Sequence, residues 1–184
     1  TIWNGGGSET DIAFANEAIV AVIRNEAGDE NGFGSLICRA EFDAPSEFSC
    51  VHDCRKYDSP LLFEHDGEAW LIGRRNVTDD GCFDLQPVDP ELEHQERFLA
   101  NSAAYWQTPK RCALWHVDDH TLTVEHLIDF PSAGDTCFPS ILGRDGVYEL
   151  WNYTSDPGDA NIGWLTGQQG ATMITRQPFE LRPG

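Results

Sequence analysis

Three carboxylates recur at comparable places in three look-alike stretches of the chain. They are Glu9 in Ser8-Glu9-Thr10-Asp11, Asp58 in Tyr57-Asp58-Ser59-Pro60, and Asp135 in Asp135-Thr136-Cys137-Phe138-Pro139. A polar residue closes the apolar run that follows each one: Arg24 after Ile19–Ile23, Arg74 or Arg75 after Ala69–Gly73, and Asn152 after Val147–Trp151. Carboxylates can serve as acid, base or hydrogen-bond acceptor for sugar hydroxyls, and an arginine fork can bind a ligand carboxylate in bidentate fashion. Glu9, Asp58 and Asp135 are therefore the candidate catalytic residues. Arg24, Arg74, Arg75 and Asn152 are the candidate substrate-binding residues. For any one of them a salt bridge between elements or a turn cap competes as the explanation. The repetition of acid and polar partner raises the set above its members. If the site is catalytic, Glu9 or Asp135 is the expected base or nucleophile.

The elements that must position these residues read as repeated hairpins. Each stretch runs from a polar start through a short apolar run and a turn to a second apolar run. The turns fall at Asn16-Glu17, His65-Asp66-Gly67 and Arg144-Asp145-Gly146, and Asp-Gly between two β-forming runs is a strong hairpin signal. Two further candidate strands follow each hairpin: 35–40 and 47–51, then 111–117 and 121–128, then 161–166 and 171–175. Four strands per unit is the anatomy of a propeller blade. The fold expected is all-β, with three four-stranded antiparallel blades arranged radially and almost no helix, as half of a six-bladed ring. The blades span about 8–54, 57–130 and 134–180 within one segment covering 1–184. The middle one carries an insertion over 79–109, read as a loop with one helical turn around Pro87, Pro90 and Glu91–Arg97. In such a ring Glu9, Asp58, Asp135, Arg24 and Arg75 converge at one mouth of the central channel. The two end blades expose apolar faces that the remaining half of the propeller, or another chain, must cover.

The composition narrows the partners. Twelve Lys and Arg against thirty-one Asp and Glu give a net charge of −19, and the only lysines are Lys56 and Lys110. A phosphate-binding surface needs clustered cations, so nucleic acid is not an expected partner. No run of eighteen apolar residues argues for a membrane span. The acidic excess suits an extracellular, secreted or salt-tolerant surface. The chain starts at Thr1 without a leader, as a processed product or a piece of a longer protein would. Six cysteines allow fifteen pairings; at least one disulfide is expected, joining Cys50 or Cys54 to Cys82 or Cys38. The spacing Cys50-Val51-His52-Asp53-Cys54 also suits a soft metal such as zinc, but no second ligand pair follows, so no metal is assigned. Trp3, Trp70, Trp106, Trp115, Trp151 and Trp164 can stack on sugars, yet mainly suit packing between blades. His65, His94, His116, His120 and His126 read as solvated.

Ser8-Glu9-Thr10-Asp11, Val22-Ile23-Arg24-Asn25-Glu26, Asp58-Ser59-Pro60, Gly73-Arg74-Arg75 and Gly134-Asp135-Thr136-Cys137-Phe138-Pro139 together resemble the sialidase (neuraminidase) superfamily. More closely they are similar to sialidase-like proteins with a Gly-Asp-Thr-x-(Tyr/Phe)-Pro signature. The resemblance covers nearly the whole chain and matches the C-terminal half of a six-bladed propeller. It implies a glycosidase that grips a sialic acid carboxylate with three arginines and attacks through a tyrosine activated by a glutamate. Glu9 is similar to that glutamate and Arg24 to the second arginine. Arg111, with Arg74 or Arg75 as rivals, is similar to the third. The first arginine and the acid/base aspartate belong to the other half. Phe138 stands where the family has its tyrosine, and a phenyl ring has no oxygen with which to attack. Tyr57, Tyr148 and Tyr153 do not fit that place by spacing.

Three functions compete. The first is a sialidase-like glycoside hydrolase, or a non-classical relative, acting on extracellular glycans through two carboxylates. The second is a non-catalytic or structural propeller whose acidic mouth binds sugar or a structural calcium ion. The third is a protein-interaction scaffold. No other cofactor is implied.

Overall fold

The computed structural model describes residues 5–84, 92–144 and 146–182. Trp3, Pro87, Pro90, Glu91 and Asp145 lie outside the described residues, so part of the expected insertion and of the third turn goes without description. The chain builds three antiparallel sheets in sequence order. The first joins β1 (Thr10–Ala15), β2 (Ala18–Asp29), β3 (Gly32–Glu41) and β4 (Ser49–Asp53). The second joins β5 (Asp58–His65), β6 (Glu68–Asn76), β7 (Lys110–Asp118) and β8 (Thr123–Phe130). The third joins β9 (Ser140–Arg144), β10 (Val147–Thr154) and β11 (Met173–Glu180). The first two hairpins close as expected. Asp66 and Gly67 both have positive φ, as do Asn16 and Glu17, and this is the backbone that matches strand twist in a tight hairpin.

The fold is a β-propeller segment, with two departures from the sequence reading. The insertion forms a full helix, α1 (His94–Gln107), rather than a single turn. Its inner face is Asn101, Ser102 and Tyr105, so the buried positions carry polar atoms and leave no apolar periodicity to read. Its start is held by Glu96, whose carboxylate accepts the Glu93 N–H at 3.2 Å. The third sheet has three strands among the described residues. The stretch expected as a strand over 161–166 instead turns into a short helix, α2 (Trp164–Gly167). Close approach explains the turn. A Cβ on Gly163 would sit 2.5 Å from Gln107 O, and one on Gly167 would sit 2.3 Å from Asp135 N.

The core lies between sheets, and period-2 alternation sends each side of the middle sheet to a different neighbour. Ala69, Leu71, Ala113, Trp115 and Val117 face Val20, Val22 and Ile37 of the first sheet. Ile72, Cys112 and Leu114 face Leu150, Ile141 and Phe179 of the third. Trp115 packs between sheets, whereas Trp106 and Trp151 are exposed. The outer faces of the end sheets carry exposed apolar residues. Ile12 and Phe14 are exposed on the first, and Leu142, Trp151 and Ile174 on the third.

All six cysteines are paired. Cys38–Cys50 crosses β3 and β4, and Cys54–Cys82 ties the β4–β5 link to the stretch leading toward α1. Both fall within the expected set. Cys112–Cys137 was not expected; it bolts the second sheet to the segment entering the third. Cys50 and Cys54, whose spacing also suits a soft metal, are both consumed in disulfides. His52 instead bonds Phe33 O through Nε2 at 2.9 Å. No helix among the described residues is long and apolar enough to cross a membrane.

Candidate functional site

Strand register places the acids and arginines. The Arg24 N–H donates to Glu9 O at 2.8 Å, so Arg24 lies across from Glu9 at the start of the first hairpin. Asp58 pairs with Arg74 in the β5–β6 ladder. The same position in the third sheet is Thr136, which bridges to Thr154. Thus Asp135 lies one residue outside the repeat register.

Asp58 is the hub. Its side chain is fully buried, and three cations surround it: Arg24 Nη1 at 3.1 Å, Lys56 Nζ at 3.3 Å and Arg74 Nε at 3.3 Å. The Tyr105 hydroxyl donates to Oδ2, the oxygen that Arg74 also meets. Burial alone would push this carboxyl up, but Lys56, Arg74, Arg24 and the Tyr105 hydrogen bond outweigh it and hold Asp58 well below the usual carboxylate range. Asp58 is therefore an ionised structural anion with no proton to give at neutral pH.

The hub stitches all three sheets. Arg24, on β2, links the first sheet to the second through Asp58, and its Nη1 also lies 3.0 Å from Glu9 Oε2 in its own sheet. Arg74 Nη1 donates to Thr136 O at 3.0 Å, linking the second to the third. Lys56 also pairs with Glu26 Oε1 at 2.9 Å. The helix α1 caps the arrangement. The Tyr105 ring is flanked by Lys56 Nζ at 4.0 Å and Lys110 Nζ at 3.7 Å from its centroid. Trp164, at the start of α2, lies against Arg74 with its ring 5.6 Å from the guanidinium carbon. Lys110 is completely buried, and its Nζ bonds Asn76 Oδ1 at 3.0 Å, Thr108 O at 2.7 Å and Tyr105 O. Burial lowers its pKa to about 6; Asp58 resists the shift while Arg74 and Lys56 add to it. Burial beside Asp58 likewise pushes the Tyr105 hydroxyl well above its usual value, so it is a hydrogen-bond donor and not a nucleophile.

Glu9 is where the cluster meets solvent, its side chain 38% exposed against 16% for Arg24. The Ser59 N–H donates to Glu9 Oε2 at 2.6 Å. Ser59 has φ +46°, a strained value for a residue with a Cβ, held by that bond on one side and Pro60 on the other. Glu9, Thr10, Ser59, Pro60, Phe138 and Pro139 line a cleft of about 220 Å³ where the three sheets meet. Phe138 is 67% exposed. Asn152 holds the strand entry that carries it: Asn152 Nδ2 donates to Thr136 Oγ1 at 3.2 Å, and Oδ1 accepts the Phe138 N–H at 3.2 Å.

The remaining candidates go elsewhere. Arg75, expected at the convergence, alternates to the opposite side of β6 from Arg74. It forms a two-pronged bridge to Asp129 at 2.6 Å. Arg111, its cross-strand partner, donates to Lys110 O and Ala160 O, each at 2.7 Å. Asp135 accepts the Tyr153 hydroxyl at 3.1 Å and makes no ion pair with the hub among the described residues. No group of three or more His, Cys, Asp or Glu among the described residues could hold a metal. His65, read as solvated, bonds the Tyr148 hydroxyl through Nδ1 at 3.1 Å. The sequence did not place Lys56, Glu26, Tyr105, Lys110 or Trp164 at this cluster. Two of these carried a signal: they are the only lysines in a strongly acidic chain.

No family model and no curated protein matches this chain in sequence. Solved structures do match it in shape. An α-L-arabinanase of Penicillium chrysogenum complexed with arabinobiose superposes with TM-score 0.55 at 13% identity, over 95% of this chain and 46% of the enzyme. The endosialidase of phage phi92 gives 0.56 at 12%, over 97% and 28%. A GH93 α-L-arabinofuranosidase of Fusarium graminearum, also complexed with arabinobiose, gives 0.52 at 10%, over 95% and 45%. The chain thus spans less than half the length of the proteins it resembles. At these identities the likeness establishes the propeller fold.

Proposed function

We propose that this chain is the glycan-facing half of a propeller glycoside hydrolase, with the cleft between Glu9, Ser59 and Phe138 holding a sugar. The observation that carries the reading is the placement of Glu9. It is a partly exposed carboxylate, fixed by Ser59 N–H and Arg24, on the wall of a cleft that also offers an open phenyl face. Aromatic faces pack against sugar C–H surfaces while carboxylates accept their hydroxyls. The structural neighbours solved with arabinobiose support the same direction. In this reading Glu9 is the base or hydroxyl acceptor. Arg24 and Arg74 position it through the shared anion Asp58, and Asn152 positions Phe138. Asp135, paired with Tyr153, is not among the residues that line the cleft. Arg75 and Arg111 contribute to the scaffold.

The apolar outer faces of the first and third sheets are covered, in the same proposal, by the remaining blades of a ring. Such blades would supply the second catalytic carboxylate that two-carboxylate hydrolysis requires. The three disulfides are compatible with an extracellular location. A purely glycan-binding propeller is the second reading, favoured by the ionised state of Asp58, which leaves it no acid role. Incubation of the chain together with the remaining blades of the ring with an arabino-oligosaccharide, and assay of released reducing ends, separates the two. Turnover that falls at least about a hundredfold in Glu9→Gln supports a hydrolase. Binding of arabinobiose without turnover supports the binding module, and the absence of both binding and turnover sinks both.

A further inference from the structure

We infer that the cleft selects uncharged sugars, because the arginines that could grip a ligand carboxylate are already filled by the protein's own Asp58 and Glu9. The inference rests on the glycan reading above and names the substrate class of that same site.

The three cations around Asp58 are engaged by the protein's own groups. Arg24 uses Nε on Ser8 Oγ at 2.8 Å, Nη1 on Asp58 and Glu9, and Nη2 on Glu26 Oε2 at 3.4 Å. Arg74 uses Nε on Asp58 and Nη1 on Thr136 O, and its flat face lies toward Trp164. Lys56 is divided between Glu26 and Asp58. Three cations thus meet three anions, and the cluster is neutral inside a chain of net charge −19.

Access follows the same order. The side chains of Lys56, Arg74 and Arg24 are 3%, 9% and 16% exposed, whereas that of Glu9 is 38% exposed. A carboxylate arriving at the cleft meets Glu9 before any cation. To reach Arg24 and Arg74 it must displace Asp58, which is buried and ionised and would be left without its partners. A neutral sugar asks for none of this. Its hydroxyls find the Glu9 carboxylate and the Thr10 and Ser59 hydroxyls, and its C–H face finds Phe138. The internal Asp58 carboxylate therefore engages the two arginines that a sialic acid carboxylate would need.

The test is ligand-observed saturation-transfer NMR on the full chain at pH 7, with arabinobiose and N-acetylneuraminic acid at equal concentration and ionic strength. Arabinobiose is expected to show transfer, weakened about tenfold in Phe138→Ala, and N-acetylneuraminic acid is expected to show none. Asp58→Asn, nearly equal in volume, removes the buried anion and is expected to make N-acetylneuraminic acid detectable. Glu9→Gln, at a more exposed position, is a second way to release Arg24 should the first variant not fold. N-acetylneuraminic acid binding the wild type as tightly as arabinobiose overturns the inference and leaves the glycan reading standing. Silence from both sugars overturns the glycan reading, and the inference with it.

Discussion

The first two hairpins and the third share one backbone register and differ in what they carry there. Glu9 faces Arg24 and Asp58 faces Arg74, but the third hairpin puts Thr136 across from Thr154. The charged pairs cannot stand alone once buried, so each arginine reaches beyond its own sheet: Arg24 to Asp58, and Arg74 to Thr136 O. The hydroxyl pair is satisfied locally, by Tyr153 O, Ala133 O and Ser155 O. Charge therefore makes contacts between sheets at this end of the strands, while the neutral pair closes one sheet upon itself. Burying an ion obliges the fold to bring partners from a distance, whereas burying a hydroxyl needs only a nearby carbonyl.

That contrast orders the expected effects of substitution. Asp58→Ala leaves Arg24, Lys56 and Arg74 packed together without an anion. A loss of about 3–5 kcal/mol in stability, measured by denaturant unfolding, is expected. A loss below about 1 kcal/mol would mean the cations find water instead and the hub holds nothing. Tyr105→Phe removes one buried donor to Asp58, and about 1–3 kcal/mol is expected. Thr136→Val acts at the equivalent neutral position, where about 1 kcal/mol is expected because the hydroxyl serves only its own sheet. A Thr136→Val effect as large as that of Asp58→Ala would erase the distinction between the two registers. Arg75→Ala removes a bridge to Asp129 that is partly solvated, and a change within about 1 kcal/mol is expected.

The pH dependence sharpens the same comparison. Lys110 has a folded pKa lowered to about 6 from its ordinary 10.5. The unfolded chain therefore binds more protons over that window, and stability should rise as pH increases from about 6 toward 10.5 and level off above it. Lys110→Met should flatten the rise when thermal unfolding is followed across pH. Asp58 works from the other side. Its folded pKa is depressed, so its contribution is fully present above the ordinary carboxylate range and is lost as pH falls below it. A wild-type profile that is flat from pH 6 to 10 would show that the ammonium is kept by its three oxygen acceptors.

Much of the fold was legible because strands in a propeller pair with their sequence neighbours. The hairpins at Asn16-Glu17 and Asp66-Gly67 announced themselves through turn chemistry. β3, β4, β7 and β8 fell close to their expected bounds because alternating or continuous apolar runs mark them. The helix α1 did not, because the face it buries is Asn101, Ser102 and Tyr105. The third sheet lost an expected strand to glycines that pack against α1 and Asp135, a constraint between segments that composition cannot display.

The candidate site divides in the same way. The sequence by itself determined which residues could meet within a hairpin, since antiparallel register follows from turn and spacing; Glu9 with Arg24 is such a pair. It could not choose between Arg74 and Arg75, which differ by one position and hence by which side of the strand they occupy. Only the tertiary structure made that choice, turning Arg74 toward Asp58 and Arg75 toward Asp129. Only the tertiary structure, too, brought Lys56, Tyr105 and Lys110 around one buried carboxylate. Burial and long-range charge are properties of the packed sheets and not of any stretch of chain, and they make Asp58 an internal anion and leave Glu9 to face the cleft.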